Sequence, residues 1–287
     1  MSSSSILLGI IGSPRKHGNS EILVKEIYRQ LSGDWELRLM RLPEMDIRPC
    51  RACYQCLFGE MKCIQDDDFH IALDALLECS AYAVVSPAYL LDANAGLKRF
   101  LDRGLAFYGH VAALWGKPAV AAAIAGIEGM EGRTKLAVEG FVKFTMGDLR
   151  GSTVLYGALP GEVLLGERGR SEARRLAQAI EKPGKEERVA GVPACSVCGA
   201  DSFRFLPDGR VRCLLCSSTG SCEWREGRLT VATQPGDHPF FHTRESVLEH
   251  AEWLRGMKDR FLQRRKELKA VVQDYAGVGT WIKPDRK

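Results

Sequence analysis

Apolar positions along the chain fall into short runs separated by polar, turn-rich stretches. Ser5–Ile11 is continuously apolar, as a strand buried on both faces of a sheet requires. The turn-rich segment 12–20 (Gly-Ser-Pro-Arg-Lys-His-Gly-Asn-Ser) follows. A helix then places Ile22, Leu23, Ile27 and Leu31 on one face, with Asn19 or Ser20 as its cap. Trp35–Leu42 alternates as a second strand. Asp66, Asp67 and Asp68 mark a helix start, where carboxylates suit the positive end of the dipole, and Phe69, Ala72, Leu73, Leu76 and Leu77 form its apolar face. Further strands are expected at Ala81–Val85, Pro118–Ala125 and Thr153–Ala158. Helices are expected at Ala95–Ala106, Lys135–Phe144 and Ser171–Ile180.

This is a strand–helix unit repeated five times. It predicts an α/β fold with a doubly wound, parallel, five-stranded sheet covered on both faces. Ligands of such folds bind at the carboxyl ends of the strands, which singles out loops 12–20, 86–94 and 126–133. The polar stretch Glu181–Arg188 contains Pro-Gly and reads as a linker. Beyond it, short strands at Phe203–Phe205, Arg210–Cys213 and Arg228–Val231 surround cysteines. A long helix is expected at Ser246–Val271, with Val247, Ala251, Leu254, Phe261 and Leu268 roughly on one side. The expected division is residues 1–183 for the α/β domain, 184–191 for the linker, 192–233 for a small cysteine-bearing domain and 234–287 for a C-terminal helical segment.

Composition adds little until the cysteines are counted. The net charge of +4 over 287 residues gives no reason to expect nucleic acid or an anionic membrane as partner. No apolar run approaches the ~20 residues needed to span a bilayer. The polar, uncharged start lacks the pattern of a secretory signal, so a reducing cytoplasm is the expected location. Eight of the ten cysteines form two clusters, and in that setting Cys-x2-Cys spacing favours metal over disulfide. Cys79 reads as a buried apolar residue and Cys222 as a spare thiol.

Cys50, Cys53, Cys56 and Cys63 can turn three or four thiolates toward one point from within loop 47–65. Such a soft donor set suits an iron–sulfur centre or zinc, or a redox-active thiol set. Two successive Cys-x2-Cys steps favour a cubane, since zinc knuckles separate their pairs by a longer insert. Cys195, Cys198, Cys213 and Cys216 have that longer insert and form a zinc-ribbon pattern: a closed, structural zinc site. A rubredoxin-like iron site is the rival, but neither knuckle carries the proline usual there. His17 reads as an exposed loop residue. His70, His110, His238, His242 and His250 have no ligand spacing with the cysteines, and the basic run Arg264–Lys266 reads as a solvated helix face. Neither Gly-x-Ser-x-Gly nor His-Glu-x-x-His occurs, which argues against a hydrolase.

Loop 12–20 joins a buried strand to a helix start, where backbone N–H groups and the helix dipole favour a phosphate. Ser13, Asn19 and Ser20 add donors and Arg15 a charge. At the second loop, Ser86-Pro-Ala-Tyr precedes Ala-Gly-Leu-Lys-Arg-Phe-Leu-Asp-Arg, ending at Arg103. Pro87 fixes the backbone there, and Tyr89 offers a flat face. At the third loop, Gly126 would let the backbone approach a ligand. Over about residues 5–180 these motifs resemble the NADPH-dependent FMN reductase branch of the flavodoxin-like superfamily. The resemblance implies FMN, with its phosphate on Ser13, Arg15, Asn19 and Ser20 and its ring against Pro87, Ala88, Tyr89 and Leu90.

The compact cysteine motif ahead of an acidic helix start resembles the iron–sulfur flavoprotein subgroup. That implies a 4Fe–4S cluster on Cys50, Cys53, Cys56 and Cys63 exchanging electrons with FMN. It also implies a homo-oligomer, dimer or tetramer, and ferredoxin or NAD(P)H as donor. An electron-transfer flavoprotein is thus the expected function, with no catalytic side chain required. The alternatives are an NAD(P)H-dependent FMN or quinone reductase without a cluster, and a flavodoxin-fold sensor that uses the ribbon as a binding module.

Overall fold

The computed structural model describes residues 4–182, 191–225, 227–238 and 240–282. Five parallel strands, β1 (Ser5–Ile11), β2 (Trp35–Arg41), β3 (Ala81–Tyr89), β5 (Pro118–Ala125) and β6 (Asp148–Tyr156), lie in the order β2-β1-β3-β5-β6. A two-residue strand, β4 (Asp92–Ala93), turns back antiparallel onto β3. Successive side chains of a strand alternate between faces. Leu8, Ile10, Tyr82 and Val84 therefore meet α2 (Phe69–Glu78), α3 (Ala95–Asp102) and α5 (Thr134–Phe144). Leu7, Ile11, Ala83 and Val85 meet α1 (Asn19–Arg29) and α6 (Glu167–Glu181) on the other face. The flavodoxin-like doubly wound sheet is as the sequence predicted.

Several bounds differ for physical reasons. Strand β3 continues past Val85 because Pro87, which has no N–H to give, pairs only on its β5 side, opposite Ile124. Helix α3 stops at Asp102 and the chain tightens into a 3-10 turn over Gly104–His110, because Arg103 turns inward. Strand β6 starts at Asp148, ahead of the expected Thr153. The acidic triplet does not serve the α2 dipole alone: Asp68 accepts the backbone N–H of Asp46 at 2.7 Å, and Asp67 is buried against Arg103.

A second, antiparallel sheet follows: β7 (Phe203–Phe205), β8 (Arg210–Cys213), β9 (Thr219–Arg225) and β10 (Arg228–Gln234). Strand β9 was not among the strands expected from the sequence. The expected linker 184–191 lies almost wholly outside the described residues. Helix α7 (Arg244–Tyr275) is capped by Thr243 and Ser246 through reciprocal hydrogen bonds. Val247 and Ala251 enter the core that holds α2 and α3, whereas Phe261 is exposed, so the apolar stripe meets the body only over its first turns. A four-residue helix, α4 (Val111–Leu114), completes the set. No helix among the described residues is long and apolar enough to cross a membrane.

Candidate flavin and metal sites

The chain enters α1 through a loop that only glycine can begin. A Cβ on Gly12 would lie 2.6 Å from Ser86 Oγ, so β1 and β3 could not close on each other. Gly18, not Asn19 or Ser20, is the N-cap, and no side chain caps the helix. The first backbone N–H groups are thereby left for an external acceptor. Ser13 and Ser20 are buried beside this opening, and Arg15 is exposed. The Asn19 amide is partly committed elsewhere. Its Nδ2 donates to Gly157 O at 2.9 Å, and its buried Oδ1 has no partner among the described residues. Arg15 Nη1 reaches Ala158 O at 3.3 Å, so both side chains tie the loop after β6 to the loop after β1.

Two further residues fix this loop. Arg41 Nη1, at the carboxyl end of β2, donates to Ser13 O at 2.9 Å and Arg15 O at 3.0 Å, and its Nη2 donates to Glu21 at 2.7 Å. Glu21 also accepts the His17 N–H at 2.8 Å and Lys25 Nζ at 2.5 Å. Burial pushes the Glu21 carboxyl up, but the hydrogen bonds from Lys25, Arg41 and the His17 backbone outweigh it and hold the group at about 2. The signal available for Arg41 was its place at a strand's carboxyl end, the edge where this topology binds ligands.

On the ring side, Tyr89 pairs with Asp92 across the two-residue turn Leu90–Leu91. Both leucines are left-handed, with φ of 50° and 62°, where Asn-Gly is the favoured pair. The neighbouring loop holds the turn in place. Arg133 N–H donates to Leu91 O at 2.7 Å, and the Arg133 guanidinium pairs with Asp92 at 2.7 Å. A Cβ on Gly132 (φ +53°) would sit 2.2 Å from Leu91 O, so glycine is required there. A Cβ on Gly126 would meet only Ala158, at 3.6 Å, so that position keeps open space rather than a close approach. Tyr89 at the end of β3 and Leu90, Ile127, Met130 and Leu159 on the loops of this carboxyl edge are all exposed, apolar side chains available to a ligand there.

The first cysteine set lies in a loop shaped by left-handed Ala52 and Tyr54. All ten cysteines are free thiols; Cys50 and Cys53 are exposed, Cys56 and Cys63 half-buried. Buried Arg103 donates to Cys63 Sγ through Nη2 at 2.9 Å and Nε at 3.2 Å, and Ala52 N–H points to Cys50 Sγ at 3.4 Å. Burial first, then the charges of Cys63, Cys50 and Cys53, push the Cys56 thiol up to about 11. These four sulfurs are not drawn together as a single-ion site; among the described residues only the second set is. A cubane spreads its thiolates wider than one ion does, and N–H···S bonds are the support cluster ligands use. Four soft thiolates, with Cys63 held by N–H···S bonds, fit a metal or iron–sulfur centre. Helix α7 braces the loop, with Arg255 Nε donating to Leu57 O at 3.0 Å and Lys258 Nζ 5.7 Å from the Phe58 ring centroid.

Cys195, Cys198, Cys213 and Cys216 have their sulfurs within 4.8 Å of one another, with Cys195–Cys216 and Cys198–Cys213 both at 3.6 Å. A tetrahedral metal bound to sulfur at about 2.3 Å needs edges near these lengths. The set thus fits a closed metal site. It docks on α5 through Leu136 and through Lys135, which pairs with Asp201 at 2.5 Å. His242 lies against Cys216 O at 3.1 Å, and His238 Nε2 meets His250 Nδ1 at 2.7 Å, a pairing that sequence spacing did not reveal.

Sheet order and ligand-facing loops together define a flavodoxin-like α/β protein. More narrowly, the chain belongs to the NADPH-dependent FMN reductase family, whose model matches residues 6–157. It is similar to an iron–sulfur flavoprotein of Archaeoglobus fulgidus, 34% identical over 111 residues, or 38% of this chain and 50% of that protein. An iron–sulfur flavoprotein of Methanocaldococcus jannaschii is 33% identical over 98 residues, 34% of this chain and 50% of that protein. The chain thus spans about half the length of the curated relatives it matches. A solved flavone reductase structure aligns over 98% of this chain and 100% of its own, with a TM-score of 0.74 at 18% identity. The fold of both sheets and α7 is therefore shared with that structure.

Proposed function

We propose that the chain is an FMN-dependent oxidoreductase of the iron–sulfur flavoprotein type. It would pass electrons between a donor, FMN and a 4Fe–4S cluster on Cys50, Cys53, Cys56 and Cys63. One observation carries this reading: α3 joins the two candidate centres. Its N-cap Asn94 follows the ring-side hairpin, and the residue after its last turn, Arg103, holds Cys63. Eight helical residues span about 12 Å.

Bound FMN would supply the redox chemistry. Ser13, Ser20, Arg15 and the open start of α1 would hold its phosphate, and the Leu90–Leu91 turn and Tyr89 would border its ring. Arg103 would orient Cys63 and offset thiolate charge. The second cysteine set would hold structural zinc and fix the appended sheet to α5. Ferredoxin or NAD(P)H would serve as donor, in a homo-oligomer.

The test is the iron, acid-labile sulfide, zinc and FMN content of anaerobically purified protein. Near four irons with matching sulfide, one zinc and one FMN per chain is the expected result. FMN and zinc without iron or sulfide would reduce the protein to a cluster-free flavin or quinone reductase. Failure to bind added FMN would overturn the proposal and favour a sensor role.

A further inference from the structure

A cavity of about 820 Å³ lies over the α3–α5 face, bordered at one end by Asp92 and Arg133 of the hairpin clamp and at another by Leu214 and Leu215 of the second cysteine set. Its walls come from α3, α5, the knuckle Leu214–Leu215 and the segment from Phe240 to Leu254. The appended sheet and α7 thus close a space over the α3–α5 face that the α/β domain alone would leave as open surface. The volume falls in the range of small-molecule sites. Leu105, Leu136, Phe144, Leu215, Phe241 and Leu254 make the walls apolar, with aromatic faces among them.

Two polar groups stand in this lining. Tyr108 is only 6% exposed, and its ring packs 6.0 Å from Phe241 and 6.1 Å from His250. Its hydroxyl has no hydrogen-bond partner among the described residues. Burial pushes the Tyr108 phenol well above its usual range, which keeps it a donor. His250 uses Nδ1 on His238 and stacks on Trp253 at 5.4 Å, which leaves its second ring nitrogen. Burial and the neighbouring His238 hold the His250 imidazole below its usual value, hence neutral. The charged residues of the lining are paired: Asp92 with Arg133, Lys98 with Asp102. A charged ligand would lose hydration without gaining a counter-ion.

We infer that this cavity is a binding site for a neutral, planar, mostly apolar ring compound carrying one hydroxyl or carbonyl, which Tyr108 and His250 hydrogen-bond. Neither the cluster nor FMN is needed for the inference.

The test is isothermal titration calorimetry of the full chain, pre-equilibrated with excess FMN, using 2-naphthol as probe: two fused rings, one hydroxyl, uncharged at pH 7. One saturable site per chain is expected. Ala137→Phe adds a ring from the α5 wall and should weaken binding more than tenfold without lowering the unfolding temperature. Tyr108→Phe keeps the shape and removes the hydroxyl; it should weaken binding by about three- to tenfold, the worth of one hydrogen bond. No saturable heat, or unchanged affinity in Tyr108→Phe together with Ala137→Phe, overturns the site. If Ala137→Phe fails to fold, unchanged affinity in Tyr108→Phe alone overturns it.

Discussion

Arg103 donates two hydrogen bonds to the Cys63 sulfur while it holds Asp67 at 2.7 Å, and both charged side chains are essentially inaccessible to water. Asp67 in turn accepts the backbone N–H of Arg48 and of Phe69, so one buried ion pair sets the path of the cysteine loop and the entry to α2. Removing one partner of such a pair strands the other charge. Arg103→Leu should therefore cost about 3–5 kcal/mol in urea denaturation. Arg103→Lys retains the charge but loses the fork that serves sulfur and carboxylate together. In cluster-loaded protein, redox titration followed by electron paramagnetic resonance should show a lower midpoint potential, because hydrogen bonds to thiolate favour the reduced cluster. An unchanged potential would remove Arg103 from the cluster's environment.

Acid should loosen loop 12–20 through Glu21. Its folded-state value of about 2 lies below the usual 4.5, so its stabilising contribution is complete above pH 4.5 and is lost as pH falls toward 2. The difference corresponds to on the order of 3 kcal/mol. Glu21→Gln should lose about that much stability at pH 7 and show a flatter stability profile between pH 5 and 2. Denaturant titrations at several pH values decide the matter.

The clamp between the second and third loops predicts a sharp effect at Gly132. Gly132→Ala places a Cβ against the Leu91 carbonyl and forces a left-handed alanine. The expected loss is about 2–3 kcal/mol of stability. A more than tenfold weaker FMN affinity should accompany it, measured by flavin fluorescence quenching. Wild-type affinity in a destabilised variant would separate the clamp from the flavin.

For the second cysteine set, Cys216→Ser should abolish stoichiometric zinc and release the appended sheet to limited proteolysis, since so small a core needs its metal. The parallel sheet should persist, visible as retained flavin binding. Zinc retained at one per chain in this variant would rule out the proposed ligand set.

The parallel sheet was legible because its strands are buried on both faces and its helices on one, so periodicity alone separates them. The convergence of Cys195, Cys198, Cys213 and Cys216 was legible because two Cys-x2-Cys steps repeat a spacing. Arg41, Asp67 and Arg103 were harder. Each reaches a decisive partner 20 or more residues away in sequence, Arg41 at Glu21, Asp67 at Arg103 and Arg103 at Cys63, and no local pattern distinguishes an inward arginine from a surface one. The Leu90–Leu91 turn was hidden because local chemistry argues against it, and the neighbouring loop imposes it instead. The cavity depends on how two modules pack, which neither module's sequence encodes separately.

The hold of Arg255 on the Leu57 carbonyl spans 198 positions of the chain. At ribosomal speeds of roughly 5–20 residues per second, that interval is roughly 10–40 s of synthesis. During it the cysteine loop has emerged but lacks its brace. The nascent loop therefore passes through a window in which its thiols stand without the support that α7 later gives them.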